Sequence, residues 1–85
     1  MSKRIVLGVL IHERTKHAPE FQQIITQYGC NIKTRIGLHE VADNVCSPNG
    51  LIILEMYGDE SPIAELERKL RALEGFEVQK MVFEG

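Results

Sequence analysis

The sequence has few of the residues that mark several classes of protein. It contains no tryptophan and only two cysteines, and its net charge at pH 7 is −2. Two cysteines cannot build the disulfide framework of a small secreted domain, and a slightly acidic chain lacks the basic face of a nucleic-acid-binding module. No apolar run approaches the roughly 20 residues of a membrane-spanning helix. We therefore expect no partner among nucleic acids and no membrane insertion.

The composition is that of one small folded domain. Of the 85 residues, 44% are hydrophobic and 26% are charged, which is typical of globular chains. We expect the whole chain, 1–85, to form a single domain. The apolar segment Ile5–Ile11 runs into His12–Arg14 without a small-residue cleavage site, so no signal peptide is predicted. The expected location is the cytoplasm, where Cys30 and Cys46 would be free thiols.

The apolar periodicity alternates between that of strands and that of helices. The predicted elements are a strand over 4–12, a helix from 16 to 28, strands over 31–39 and 51–57, a helix from 61 to 74 and a strand over 76–83. Thr15 is the predicted N-cap of the first helix. Gly29 is predicted to end that helix as a C-terminal cap residue in the left-handed conformation. Residues 40–49 are predicted to form an irregular bend, because the segment is too long for a tight hairpin.

This order of elements predicts an α+β, ferredoxin-like βαββαβ fold. Right-handed crossovers place both helices on one face of a four-stranded antiparallel sheet, with the first and third strands in the middle. Those two strands are apolar on both faces, as central strands should be. In the second strand, Ile36 is predicted on the buried face, and Arg35 and Gly37 on the solvent face.

Helices on one face leave the other face of the sheet uncovered. We expect Val6, Leu10, Ile52, Leu54 and Met56 to line it. Such a bare apolar patch is unusual on a soluble monomer. The pattern predicts a homo-oligomer, a dimer or tetramer, that covers part of this surface.

Several short motifs resemble one known family. They are Glu13-Arg14 after the first strand, Gln27-Tyr28-Gly29, Arg35-Ile36-Gly37-Leu38, and the closing segment from Lys69-Leu70 to Gly75. Together they resemble the iron-only hydrogenase system regulators, a family of small ACT-like proteins, over nearly the whole chain. The resemblance implies an ACT-like ferredoxin fold, an oligomer, a regulatory rather than catalytic role, and a hydrogenase-related protein as a partner.

A second similarity is to the C-terminal domain of the nickel-responsive repressors. Cys46 could stand in the position of that family's cysteine ligand. The histidine pair of that family falls near Arg35–Gly37, which has no histidine, so the nickel site does not carry over. Because the first predicted strand begins at residue 4, we also expect no DNA-binding arm.

Two places in the sequence have the residues of a small-ligand site. Arg14, Thr15 and Lys16 precede a helix N-terminus, whose free amides and positive dipole end favour an anion. The alternative is a solvated polar loop that caps the helix. Arg35 could bind a carboxylate or phosphate, with Gly37 allowing close approach. The alternative here is a surface ion pair beside a β-bulge.

Metal binding and catalysis are not predicted. His39, Asp43 and Cys46 lack the close paired spacing of metal ligands, and we expect no metal and no cofactor. No nucleophile elbow, phosphate-binding loop or dinucleotide fingerprint is present. We therefore predict a non-enzymatic regulatory module that binds a small effector or a partner protein at an oligomer interface. The alternatives are a structural adaptor that binds no small ligand and a metal-responsive sensor.

Overall fold

Four strands and two α-helices follow one another in the order β-α-β-β-α-β. The computed structural model describes residues 3–12, 17–42 and 45–84, apart from the side chains of residues 38–42 and 45–49. The strands are β1 (Lys3–Ile11), β2 (Ile32–Ala42), β3 (Val45–Met56) and β4 (Phe76–Glu84). The helices are α1 (Ala18–Gln27) and α2 (Glu60–Arg71), and a short 3-10 turn (Gly29–Asn31) connects α1 to β2.

The strands form one antiparallel sheet in the order β2-β3-β1-β4. The central positions of β1 and β3 confirm the prediction from their two apolar faces. The buried residues of both helices belong to the same core as those of the sheet, so both helices cover one face. The predicted α+β, ferredoxin-like fold is confirmed.

The core lies between the helices and one face of the sheet, which we call the helix face. Phe21 of α1 and Phe76 of β4 stack with 5.1 Å between their ring centroids, and Leu66 and Leu70 of α2 are fully buried. Burying a side chain of this size stabilises the fold by about 1.5–3 kcal/mol. The buried residues are Ile5, Leu7, Val9, Phe21, Ile25, Tyr28, Leu54, Met56, Ile63, Leu66, Leu70, Phe76 and Val78.

The opposite face of the sheet, which we call the open face, is covered by neither described helix. Leu7 pairs with Leu54, and both are fully buried on the helix face. The next pair in the register is Gly8 with Ile53. Because successive residues of a strand point to opposite faces, Gly8 and Ile53 belong to the open face.

Three residues that were predicted to line the open face lie on the helix face instead. Leu54 and Met56 are buried in the core, and Ile52, which pairs with the buried Val9, packs against it. The prediction for Ile52, Leu54 and Met56 is wrong because Leu51–Leu54 is apolar at every position. Alternation therefore does not tell which set of residues faces the helices.

The other two residues are on the open face as predicted. Val6 follows the parity of Gly8, and Leu10 pairs with Leu51 on the same face. The side chains of Val6, Leu10 and Leu51 are each partly buried. Among the described side chains, the apolar residues of β3 on the open face are thus Leu51 and Ile53, which alternate with the predicted ones.

The edge strand β2 also turns its faces the opposite way from the prediction. Its register against β3 shifts between Ile32 and Thr34. A bulge of this kind reverses the face of every residue that follows it. Ile36 therefore lies on the open face, 49% exposed, and Arg35 and Gly37 lie on the helix side.

The predicted bend over 40–49 is part of a long hairpin between β2 and β3. Val41 pairs with Cys46, and β1 pairs with β3 only as far as Gly50. The end of the hairpin therefore extends past β1 as two strands alone. A second register shift, between His39 and Val41, lies opposite the part of β3 that contains Pro48. Proline has no N–H to donate, and an interrupted ladder tolerates it.

The start and end of α1 differ from the prediction. The helix begins at Ala18 with His17 at the N-cap position, whereas the predicted cap, Thr15, lies outside the described residues. Gly29 starts the 3-10 turn and does not have a positive φ. Gly75, which separates α2 from β4, does have one, at 88°.

Candidate functional site

The open face presents an apolar surface to which all four strands contribute. Register aligns Ile36, Ile53, Gly8 and Gln79 in one row across β2, β3, β1 and β4. Met81 and Phe83 of β4 are each 52% exposed on this face. The described apolar side chains of the surface are Val6, Leu10, Ile36, Leu51, Ile53, Met81 and Phe83.

The size of this face can be estimated from strand geometry. Four strands spaced about 4.8 Å apart, each followed for about seven residues of 3.3 Å, outline roughly 440 Å². Patches of about 300–600 Å² are the largest that typical monomers expose, and these are often functional. The apolar side chains occupy only part of this outline, because Glu55, Glu77 and Gln79 also lie on the face, so composition rather than area makes the open face a candidate interaction surface.

Gly8 makes a low point at the centre of the open face. A Cβ on Gly8 would lie 3.8 Å from Cδ1 of Ile53, which is an ordinary contact. The fold of one subunit therefore has room for a side chain at this position, and packing within the subunit does not require glycine. A glycine within a strand often marks a place where another molecule approaches closely.

Charged side chains lie around the apolar centre of the open face. Glu55 accepts a hydrogen bond from Thr34 (Oγ1 to Oε1, 3.1 Å). Arg4, exposed at the start of β1, makes no ion pair with the described residues. At the far end, His12 lies 3.2 Å from Glu77, and hydrogen bonds from His12 and Gln79 hold the pKa of Glu77 below its usual value. The margin of the face therefore carries both signs of charge.

The predicted ligand residues Arg35 and Gly37 lie together on the helix side of the edge strand β2. Arg35 is exposed and reaches α1, where its Nη2 donates to Oε1 of Gln22 at 3.4 Å. A Cβ built on Gly37 meets no atom within 4 Å. The helix side of β2 is thus open at Gly37, two residues from an arginine whose described hydrogen bond is long. A small anion could enter this space and accept from the guanidinium.

The other predicted ligand residues, Arg14, Thr15 and Lys16, lie outside the described residues. The helix that follows them begins at Ala18, with Glu20 in its first turn. His17 contacts Glu20 (Nδ1 to Oε2, 2.8 Å), so a carboxylate already stands at this helix start. A second anion at this helix start would meet the negative charge of Glu20.

A groove of about 630 Å³ lies at the end of the sheet where β1 begins and β3 ends. Lys3, Arg4 and Lys33 line it together with the acidic residues Glu55, Asp59 and Glu60, and Lys3 pairs with Glu60 at 3.5 Å. The charges are balanced, so the groove has no net preference for an anion or a cation. Three separate segments of the chain supply the residues of this groove, so no local sequence pattern predicts it.

A compact charge network joins α2 to β4. Glu67, whose side chain is 14% exposed, accepts from Arg71 (2.9 Å) and Lys80 (3.1 Å), and Arg71 also donates to the carbonyl of Val78 at 2.8 Å. Partial burial raises the pKa of Glu67, but the hydrogen bonds from Lys80 and Arg71 outweigh it, so the pKa lies below its usual value. This network has a structural explanation in the docking of α2 on the sheet.

Among the described residues, no three His, Cys, Asp or Glu side chains come together as metal ligands would. The side chains of His39 and Cys46 and the whole of Asp43 lie outside that description, and Cys30 is an exposed free cysteine. Neither helix in the described part of the chain is long and apolar enough to cross a membrane.

Comparison with known proteins supports the fold. No family model matches the chain, and no curated protein matches it. The chain is similar to the structure of the uncharacterized protein TM1266 from Thermotoga maritima, with a TM-score of 0.81 and 20% identity over 98% of this chain and 100% of that one. It is also similar to CPII, a nitrogen regulatory PII-like protein from Thiomonas intermedia K12, with a TM-score of 0.53 and 13% identity over 99% and 96% of the two chains.

Both likenesses are likenesses of fold, because function diverges among proteins that share a small α+β architecture. The PII-like protein was solved bound to ADP, AMP and bicarbonate. The same fold can therefore hold small anionic ligands. Which ligand a given chain takes depends on its own side chains.

Proposed function

We propose that this chain is a single-domain, non-enzymatic regulatory module that self-associates through its open face and binds a small anionic effector beside β2. The single observation that carries the proposal is the apolar open face of the sheet, with Ile36, Met81 and Phe83 each about half exposed. Interaction surfaces are the usual reason for a soluble protein to retain such a patch. A small domain also gains core area by associating.

The effector site is proposed at Arg35 and Gly37. Support comes from the open space beside Gly37 and from the exposed guanidinium of Arg35, whose one described hydrogen bond is long at 3.4 Å. An arginine fork binds carboxylates and phosphates through two parallel hydrogen bonds. We include Arg14, Thr15 and Lys16 in the proposed site because they precede the helix that Arg35 contacts.

The proposed physiological role is regulation in an iron-only hydrogenase system, with a hydrogenase-related protein as the partner and the cytoplasm as the location. The motif Arg35–Leu38 supports this role, because it is the most specific part of the resemblance to those regulators. The structural likeness to a nitrogen regulatory PII-like protein is compatible with a regulatory module of this size.

Thermal shift and isothermal titration test the effector site directly. The panel should contain ADP, AMP, bicarbonate, amino acids and divalent metals. A ligand that binds only the folded chain, at 100 times its Kd, adds about 2.7 kcal/mol of stability. In a domain of this size that raises Tm by roughly 10–20 °C. We expect an anionic member of the panel to give this shift.

Two arginine variants locate the site. Arg35→Ala should abolish the shift, and Arg68→Ala, which removes an exposed arginine from α2, should leave it unchanged. No shift with any anion, or equal shifts in both variants, would contradict the proposed effector site. A shift with a divalent metal alone would instead favour a metal sensor.

A further inference from the structure

We propose that the open face binds a second copy of this chain about a two-fold axis that runs along the strands between β1 and β3, so that Ile53 of each subunit sits on Gly8 of the other. The inference rests on the self-association in the proposed function and adds its geometry. It concerns the surface formed by β1 and β3 at the centre of the open face.

The register of the two central strands makes the open face complementary to itself. Gly8 and Ile53 are directly paired, one on each side of the line between β1 and β3. A two-fold axis along that line exchanges the strands, and so places the Ile53 side chain of one subunit over the low point that the partner's Gly8 leaves. An isologous interface requires a surface to be complementary to itself. A projecting residue beside a glycine meets that requirement.

The same axis gives favourable contacts on both sides of this central pair. Leu51 pairs with Leu10 in the register, so the axis stacks each Leu51 on the partner's Leu10. Glu55 pairs with Val6, so the axis places each Glu55 over Val6 of the partner's β1. Arg4 is the next residue along that strand on the same face, two positions away. Arg4 makes no ion pair with the described residues of its own subunit, and this arrangement supplies one. The charge complementarity favours a second copy over an unrelated partner.

The area and the crossing angle agree with this arrangement. Two faces of roughly 440 Å² each bury about 900 Å² in flat projection, and side-chain relief raises that value toward the roughly 1,000 Å² that a specific interface needs. Strands that remain aligned across the interface match the common packing of one sheet on another, at about −30°. The expected dimer is specific but weak, and it dissociates on dilution.

Gly8→Val tests the arrangement with effects of opposite sign on folding and association. Within one subunit a Cβ at this position makes only an ordinary contact, and valine favours a strand more than glycine does. The isolated subunit should therefore be at least as stable as the wild type. In the dimer the added side chain occurs twice where Ile53 must fit, and we expect the dissociation constant to rise on the order of a hundredfold. Sedimentation velocity without ligand measures it.

Gly29→Val is the control. A Cβ at Gly29 also meets no atom within 4 Å, but Gly29 lies in the 3-10 turn after α1, outside the sheet. Its replacement should leave the dissociation constant of the dimer unchanged. If both variants weaken association equally, the effect is a general one on the subunit and the proposed axis is wrong.

A charge exchange tests the same axis independently. Arg4→Glu and Glu55→Arg should each weaken association about tenfold, because each places like charges together twice in the dimer. The double variant, with the two charges exchanged, should recover the wild-type affinity. A double variant as weak as either single one would overturn the proposed pairing of Glu55 with the partner's Arg4.

The outcomes separate this inference from the proposed function. If the wild type associates and Gly8→Val associates equally well, the axis is wrong while self-association stands. If the wild type remains a monomer at every concentration, both fall, and a surface that binds a different protein replaces them. Both proposals are supported if Gly8→Val removes association while its control variant does not, and if the double charge-exchange variant recovers the wild-type affinity.

Discussion

Replacing two neighbouring residues of β3 tests which face of the sheet holds the core. Leu54 is fully buried beneath the helices, whereas Ile53 lies on the open face and is partly exposed. We compare Leu54→Ala with Ile53→Ala, which remove nearly the same volume from adjacent positions. Ile53 is β-branched and Leu54 is not, so any difference in strand propensity works against Ile53→Ala, the variant that we expect to be the milder one.

The structure gives the two substitutions different costs. Leu54→Ala removes a fully buried side chain and leaves a cavity, which costs about 3 kcal/mol in the unfolding free energy of the subunit. In a domain of this length that lowers Tm by roughly 12–24 °C. Ile53→Ala removes a side chain with no helix above it, and should cost only about 1 kcal/mol in a dilute subunit. Its main effect should be on association.

Thermal unfolding over a range of protein concentrations separates the two effects. Leu54→Ala should lower Tm by a similar amount at every concentration, because the lost contacts lie within one subunit. Ile53→Ala should differ least from the wild-type Tm on dilution, by roughly 4–8 °C, and most when the wild type is concentrated, because association stabilises only the wild type there. A dilute Ile53→Ala protein as unstable as Leu54→Ala would refute the assignment of the two faces.

Three further substitutions test contacts around the core. Glu67→Gln should cost about 2 kcal/mol at neutral pH, because it removes a carboxylate that accepts from Arg71 and Lys80. Since the pKa of Glu67 is lower in the folded state than its ordinary value of 4.5, this contribution is complete above that value. Acid titration of stability should show the difference from the wild type shrinking as pH falls through the folded pKa, and a difference independent of pH would contradict this. Tyr28→Phe should cost about 1 kcal/mol in urea unfolding by removing a 3.0 Å hydrogen bond to a carboxylate of α2, and an unchanged midpoint would argue against that bond. Gly75→Ala should cost about 1 kcal/mol because its φ of 88° strains any residue with a Cβ, and a stabilised variant would contradict the left-handed backbone.

The order of the elements could be predicted from the sequence, but the faces of two strands could not. Val6 and Leu10 were placed correctly because Gly8 breaks the apolar run of β1. In β3, four successive apolar residues from Leu51 to Leu54 carry no alternation, so only the helices above them decide which ones are buried. In β2, the register shift after Ile32 exchanges the faces to which the following side chains point, and no turn residue in the sequence marks the shift.

The candidate site was predictable to a similar extent. Arg35 and Gly37 are close together in sequence on one side of a strand, so their proximity followed from the alternation of side chains once a strand was predicted. Their side of the sheet did not follow, because it depends on the bulge. The end of the β2–β3 hairpin, within residues 40–49, was not predicted as strand either. Ser47, Pro48 and Asn49 are turn formers, and here they occupy an interrupted part of the β-ladder.

Sedimentation equilibrium of the wild-type chain tests most directly the claim that the open face binds another subunit. The chain has a mass of 9.7 kDa. Self-association through the open face about a two-fold axis predicts a weight-average mass that rises with concentration toward twice this value. The same experiment on Gly8→Val should remain near 9.7 kDa. A wild-type mass of 9.7 kDa at every concentration would contradict the claim.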